Sequence, residues 1–195
     1  MDEDLDAVQD QIDDIEINLD GREEKIAALE RLLADAVRHS PAWAEVITVL
    51  AGHQQALGWH EAAIARLEEV RAAGIDTEPS IEAHLLSAHL GAGNDAEAAA
   101  LERELRARSR ETYLGDDYSW VGEAYEEADR LKEALRWFSM ANRDVDPDDI
   151  DMLEPFALAG RWRVRRAIGL PEDAYDEAAR IVRESNRARS ARESG

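Results

Sequence analysis

Turn-forming residues recur at near-constant intervals along this chain, and their spacing limits the possible fold more than any other feature. One series of turn signals returns about every 36 residues. Its members are Asp20-Gly21, Leu57-Gly58, Gly93-Asn94, Asp129 and Gly169. A second series falls between them, at Ser40-Pro41, Glu78-Pro79, Gly115-Asp116 and Asp146-Pro147. Two interleaved series with one period are typical of a repeat built from two short elements, with one turn inside the repeat and one after it.

The segments between these turns are predicted to be helices. Alanine, leucine, glutamate and arginine dominate them, and all four residues favour helix. No long segment alternates apolar and polar residues with the period of two that marks a strand. The hydrophobic fraction of 45% over 195 residues is enough to build a core. The sequence therefore predicts an all-α fold, an α-solenoid of about five antiparallel helix hairpins.

One stretch carries a spaced pattern of small and aromatic residues. Its members are Tyr118, Val121, Gly122, Tyr125, Ala134, Phe138, Ala141 and Pro147. The pattern resembles the tetratricopeptide repeat (TPR), which places Trp, Leu-Gly and Tyr on a first helix, then Ala, Phe and a closing Pro. Tyr118 and Val121 stand where that family has Trp and Leu. The glycine would let two helices approach closely, and the aromatic rings would fill the space between them.

Weaker copies of the same pattern lie upstream. The matching residues are Ile47, Leu50, Ala51, Ala63 and Leu67, and then Ala83, Leu86, Ser87 and Leu90. The resemblance implies a degenerate array of TPR-like helical repeats over residues 41–184, stacked as a right-handed α-solenoid. The stretch RWRVRRAIGLPEDAYDEAA also faintly resembles helical-repeat regions of bacterial SEC-C motif proteins. That motif needs cysteines, and this chain has none.

Residues 1–40 have apolar side chains at helical spacing. Leu5, Val8, Ile12, Ile15 and Leu19 are separated by steps of three and four, which is typical of a coiled coil. Two short amphipathic helices joined at a turn would give the same pattern. We favour the hairpin because the turn also falls on the repeat period. At the other end of the chain, residues 185–195 are predicted to be a disordered basic tail.

Charge and composition restrict the partners. The net charge is −21, which repels nucleic acid and anionic lipid at long range. The absence of cysteine excludes disulfides and thiolate zinc sites. The chain begins with acidic residues and has no apolar run long enough to span a bilayer, so we expect a cytoplasmic protein with no membrane partner.

Metal-binding and catalytic patterns have little support in the sequence. The histidines His53, His60, His84 and His89 fall on neighbouring predicted helices, but their spacing provides no common metal-binding face. The aspartate-rich run 144–151 contains a proline and lacks the glycine of a calcium loop. Glycine-rich phosphate loops and nucleophile motifs are also missing. We predict no metal, no cofactor and no enzyme activity.

The C-terminal part holds a concentration of arginines. They are Arg161, Arg163, Arg165, Arg166, Arg180, Arg183, Arg187, Arg189 and Arg192. Nucleic-acid binding is one interpretation, but aromatic residues among them are few and the rest of the chain opposes it electrostatically. A solvated face that pairs with acidic neighbours is the interpretation we favour.

The resemblance to TPR arrays also implies a binding surface. In such arrays the first helix of each hairpin lines a concave groove that meets the ligand. The corresponding positions here are Thr48, Gln55, His84, Ser119, Glu123, Glu126 and Glu127. Because this groove is acidic toward its C-terminal half, we predict a protein–protein interaction scaffold, or adaptor, that binds a basic segment of a partner protein. The alternative is a self-associating structural protein, a homodimer formed through the N-terminal heptads or an edge hairpin.

Overall fold

The computed structural model describes the backbone of residues 2–193 and the side chains of residues 5–187. Within this range the chain forms ten α-helices and one short 3-10 helix, and no strand. The α-helices are α1 (Asp2–Asn18), α2 (Arg22–Asp35), α3 (Pro41–Ala56), α4 (His60–Ala73), α5 (Ile81–Ala92), α6 (Asp95–Arg108), α7 (Asp117–Glu127), α8 (Leu131–Ala141), α9 (Pro155–Ala167) and α10 (Ala174–Glu193). The predicted all-α fold of sequential helix pairs is confirmed.

The chain divides between Ala107 and Arg108 into two compact units. In the first unit, α3 packs against both α1 and α2, and α5 packs against both α3 and α4. A cluster of buried apolar side chains joins the first three helices: Ile12, Ile26, Leu29, Val46 and Leu50. The first helix of the second hairpin and that of the third, α3 and α5, are thus each packed on the hairpin that precedes them.

The N-terminal residues form a helical hairpin. Helices α1 and α2 contact each other and are separated by a short turn, in which Gly21 is the residue before α2. Lys25 Nζ donates a hydrogen bond to the backbone oxygen of Glu16 at 2.9 Å across this turn. Of the two arrangements considered from the sequence, the structure has two short helices and not one continuous coiled-coil helix.

The second unit repeats the packing rule of the first. Helix α9 lies against both α7 and α8, and α10 lies against α9. The residues of the TPR-like pattern provide the core: Tyr118, Val121, Tyr125, Ala134 and Phe138 are all buried. A smaller cluster of Leu153, Leu158, Ala178 and Ala179 joins α9 to α10. The aromatic residues of the pattern are packing residues, as the sequence predicted.

Four of the hairpin turns share one backbone geometry. In each turn an amide donates to the carbonyl five residues earlier, at 2.8 to 3.0 Å. The bonds are Trp59 N to Gln54 O, Asn94 N to His89 O, Arg130 N to Tyr125 O, and Leu170 N to Arg165 O. The residue before each amide has positive φ: Gly58, Gly93, Asp129 and Gly169. A residue of positive φ followed by such a bond is a common way to end a helix. All four of these helix ends lie where the sequence predicted the turns inside the hairpins.

The end of the described chain differs from the sequence prediction. Helix α10 continues to Glu193, whereas a disordered tail was predicted from residue 185. Alanine and arginine are abundant there and favour helix once the preceding turns of α10 are packed. The side chains of Arg189 and Arg192 lie outside the described residues. Over residues 2–193, no helix combines the length and the apolar character that crossing a membrane requires.

Candidate functional site

The predicted site residues of the second unit lie on α7 beside α9. Ser119, Glu123 and Glu126 recur at helical spacing and so share a face of α7. The Ser119 hydroxyl donates to Glu154 Oε2 at 2.9 Å, and Glu154 is the N-cap residue of α9. Glu126 accepts two hydrogen bonds from Arg163 of α9, at 2.9 and 3.2 Å. Part of this face is therefore engaged in holding two successive hairpins together.

An open depression of about 400 Å³ lies at the end of this face. Its lining is Glu123, Glu126, Glu127 and Arg163, which is three carboxylates against one guanidinium. Arg163 Nη2 lies 3.8 Å from Glu123 Oε1 but 2.9 Å from Glu126 Oε2, so it favours Glu126. We call Ser119, Glu123, Glu126 and Glu127 the acidic surface.

The carboxylates of the acidic surface influence one another. Burial raises the pKa of Glu123, the charge of Arg163 opposes this rise, and the charges of Glu126, Glu127 and Glu154 add to it. The hydrogen bond to Glu126 raises the pKa of Arg163. Glu123 is thus ionised against a local excess of negative charge, which a positively charged ligand would relieve.

The predicted site residues of the first unit lie deeper. Thr48 is buried, and its hydroxyl donates to the Glu45 backbone oxygen at 2.8 Å. His84 is 5% exposed, and burial lowers its pKa to about 4. Gln55 is half-buried and accepts from the Ser87 hydroxyl at 3.2 Å. These three residues belong to the first unit and the acidic surface belongs to the second, and Thr48 and His84 present little area to a ligand.

Sequence reasoning missed the role of Arg163 as the partner of Glu126. The two residues are 37 positions apart, about one repeat. His53 and Glu16 are also 37 positions apart, and His53 Nε2 lies 2.5 Å from Glu16 Oε1. In these two cases the first helices of successive hairpins pair side chains at the repeat distance. A glutamate and a basic residue type at that separation are the signal that would have found these contacts.

Most described arginines of the C-terminal concentration are engaged within the second unit. Arg161 binds Asp173 at 2.6 Å and Asp176 at 3.3 Å, and Arg165 binds Asp176 at 2.9 Å. The remaining engaged side chains are Arg166 and Arg183, which stack on Trp162, and Arg180, which pairs with Glu177 and Glu184. The ion pairs of Arg161, Arg163, Arg165 and Arg180 offset much of this positive charge, which weakens the case for a nucleic-acid backbone as the ligand.

The histidines take separate positions in the first unit. His53 pairs with Glu16, His60 lies against Gly91, and the His89 ring is 3.3 Å from the Asn94 amide nitrogen. Among the side chains that the structure describes, no group of three or more histidines and carboxylates is arranged to hold a metal ion.

The helix pairs and their packing define a TPR-like repeat protein. The fold is similar to a crystal structure from Podosopora anserina, described as a kinesin light chain with nearly identical TPR-like repeats. The TM-score is 0.54 at 17% sequence identity, over 94% of this chain and 95% of that chain. No protein-family model matches the sequence, and no curated protein matches it. At this level of identity the structural similarity establishes the fold.

Proposed function

We propose that this protein is a non-catalytic protein–protein interaction scaffold that binds a basic segment of a partner on its acidic surface. The observation that carries the proposal is the open depression in which Glu123, Glu126 and Glu127 meet a single guanidinium, that of Arg163. This depression lies on the first helix of a hairpin, the element that meets ligands in helical-repeat proteins.

The contacts indicate where a ligand side chain would lie. Arg163 is already paired with Glu126. A lysine or arginine of the partner would therefore approach Glu123 and Glu127, away from the Arg163 guanidinium. Both of these glutamates are exposed, and ion pairs at exposed sites are individually weak. The net charge of −21 would contribute mainly by speeding the encounter with a basic partner.

Fluorescence anisotropy with two matched peptides tests this proposal. One peptide carries several arginines among neutral residues, and the other has glutamine in place of every arginine. We expect the arginine peptide to bind, the glutamine peptide not to bind, and rising salt to weaken the complex. The doubly substituted chain Glu123→Lys/Glu127→Lys should lose most of the affinity.

The matched control is Glu61→Lys/Glu97→Lys, which changes the net charge equally at exposed positions of the first unit. It should keep most of the affinity. If both double variants bind like the original chain at low salt, the acidic surface is not the binding site.

Self-association is the second candidate function. Helix α1 leaves Ile17 78% exposed, an apolar side chain that a second copy would cover. Light scattering after size-exclusion chromatography distinguishes the two functions. A dimer that Ile17→Asp converts to a monomer would support the self-associating structural protein.

A further inference from the structure

A wide apolar groove runs between α9 and α10. Its volume is about 660 Å³. Phe156, Trp162 and Val182 provide apolar lining, and Arg163, Arg183 and Arg187 provide its positive charges. We call this feature the α9–α10 groove. Its lining contains no described aspartate or glutamate, in contrast to the acidic surface.

The packing rule of the fold indicates what this groove is shaped to hold. Helix α3 covers the α1–α2 pair, α5 covers the α3–α4 pair, and α9 covers the α7–α8 pair. The α9–α10 pair offers the equivalent surface, and within residues 2–193 no helix covers it. Phe156 accordingly remains 73% exposed, a large apolar side chain at the site where another helix would pack.

The arginines that line the α9–α10 groove indicate the charge that a bound helix would carry. The Arg183 guanidinium lies 4.1 Å above the Trp162 ring, and its Nε is buried without a hydrogen-bond partner among the described residues. Arg187 is exposed and forms no ion pair with any described residue. A carboxylate on an incoming helix would form charge-assisted hydrogen bonds with the exposed Arg187 guanidinium. A small movement of the Arg183 side chain would present its unsatisfied Nε to a second carboxylate.

We propose that the α9–α10 groove binds an acidic amphipathic helix of a partner protein. Apolar side chains at i, i+3, i+4 and i+7 of that helix pack on Phe156, Trp162 and Val182. Its flanking carboxylates pair with Arg183 and Arg187. This surface borders the acidic surface at Arg163 but has the opposite charge preference, so substitutions away from Arg163 test each surface separately.

Two labelled helical peptides are the probes. Each has about 16 residues, or roughly 24 Å of helix, and carries leucines at the four spaced positions. One has glutamate on its polar face and the other lysine, and both are held helical by a hydrocarbon staple. Because lysine would also bind the acidic surface, both peptides are titrated into the Glu123→Lys/Glu127→Lys chain as well as the original chain. In that double variant we expect the glutamate peptide to bind at least about tenfold more tightly than the lysine peptide in fluorescence anisotropy.

Point substitutions then locate the site. Phe156→Asp and Arg187→Glu should each weaken binding of the glutamate peptide about tenfold. Val37→Asp and Arg31→Glu are the matched controls, because Val37 is 74% exposed and both positions lie on the first unit. Both controls should leave the affinity unchanged. Circular dichroism melting confirms that each variant is folded.

Three results would overturn the proposal. The glutamate peptide does not bind, or it binds Phe156→Asp as tightly as the original chain, or the lysine peptide binds Glu123→Lys/Glu127→Lys as tightly as the glutamate peptide does. Sedimentation of the chain without peptide provides a fourth: a dimer abolished by Phe156→Asp would mean that a second copy covers the groove. Loss of arginine-peptide binding in Glu123→Lys/Glu127→Lys, with glutamate-peptide binding retained, would separate the two surfaces.

Discussion

Phe138 lies directly against Gly122, so that a methyl group added to Gly122 would come within 2.5 Å of the ring atom Cε1. The same ring meets Gly160 on α9, where an added methyl group would lie 2.8 Å from Cδ1 and closer still to two other ring atoms. Phe138 is fully buried. A single ring from α8 therefore sets the approach of α7 and α9, and neither glycine has room for a side chain.

Gly122→Ala should destabilise the protein. Overpacking against a ring that cannot move costs about 1–3 kcal/mol, and the better helix propensity of alanine offsets about 1 kcal/mol. Gly52→Ala is the control, since a methyl group there would meet nothing within 4 Å. It should stabilise the protein by up to about 1 kcal/mol. Urea denaturation compares the unfolding free energies of the two variants. Equal changes of the same sign, relative to the original chain, would refute the close packing of Gly122 against Phe138.

Phe138→Ala should cost about 3–5 kcal/mol of unfolding free energy, because it empties a fully buried site between three helices. Denaturant unfolding of the purified variant measures the loss. A change below about 1 kcal/mol would place the ring outside the core.

Asp176→Ala should destabilise the contact between α9 and α10. The Asp176 carboxylate is 4% exposed and accepts hydrogen bonds from Arg161 and Arg165, whose side chains are 10% and 13% exposed. Its removal leaves two largely buried guanidiniums to share Asp173, at a cost of about 3 kcal/mol. Glu177→Ala, the neighbouring residue with an exposed ion pair, should leave the urea midpoint unchanged. Equal midpoints for the two variants would contradict the structural role of Asp176.

Stability should fall as the pH is lowered from about 6.5 to about 4, with His84 as one cause. Burial lowers the pKa of His84 from 6.5 to about 4. The unfolded chain therefore takes up a proton in this range before the folded chain does, which favours unfolding by up to about 3 kcal/mol. His84→Gln, which does not titrate, should flatten the profile measured by urea denaturation. Parallel profiles for the two proteins would show that His84 is not responsible.

Binding of the arginine peptide should weaken on acidification. Because the pKa of Glu123 is raised above the usual 4.5, this carboxyl loses its charge at a higher pH than an ordinary glutamate does. The electrostatic attraction between the acidic surface and the arginine peptide should therefore begin to weaken at that higher pH. Anisotropy titrations at several pH values measure the midpoint, and Glu123→Gln should move it lower. An unchanged midpoint in that variant would mean that another group controls the pH response.

The repeat and its core residues were accessible from sequence because their signals are local. Turn residues mark the ends of helices, and the spacing of Tyr125 and Phe138 within one hairpin is read directly from the chain. The positive φ values at Gly58, Gly93 and Gly169 fall at these predicted turns. Asp129 takes the same conformation without being glycine, at a turn that the period nevertheless located.

The burial of the predicted groove residues in the first unit could not be predicted from the sequence in the same way. Helices α3 and α5 pack against neighbours on several sides, and both are buried over much of their surface. A helix that is apolar nearly all round has no polar stripe to show which side faces a ligand. The depths of Thr48 and His84 therefore depend on contacts with other helices. The pairing of Glu126 with Arg163 likewise joins residues from two hairpins.

Arg163 borders both proposed binding surfaces, so the two ligands would share one guanidinium. In the free protein it binds Glu126, and it also lines the α9–α10 groove. A carboxylate bound in the groove would draw Arg163 away and leave Glu126 free for a basic ligand. Each ligand would then raise the affinity of the other by the same factor, because linkage between two sites is reciprocal. Titrating one peptide in the presence of the other measures that factor, and a factor of one would mean that the two surfaces act independently.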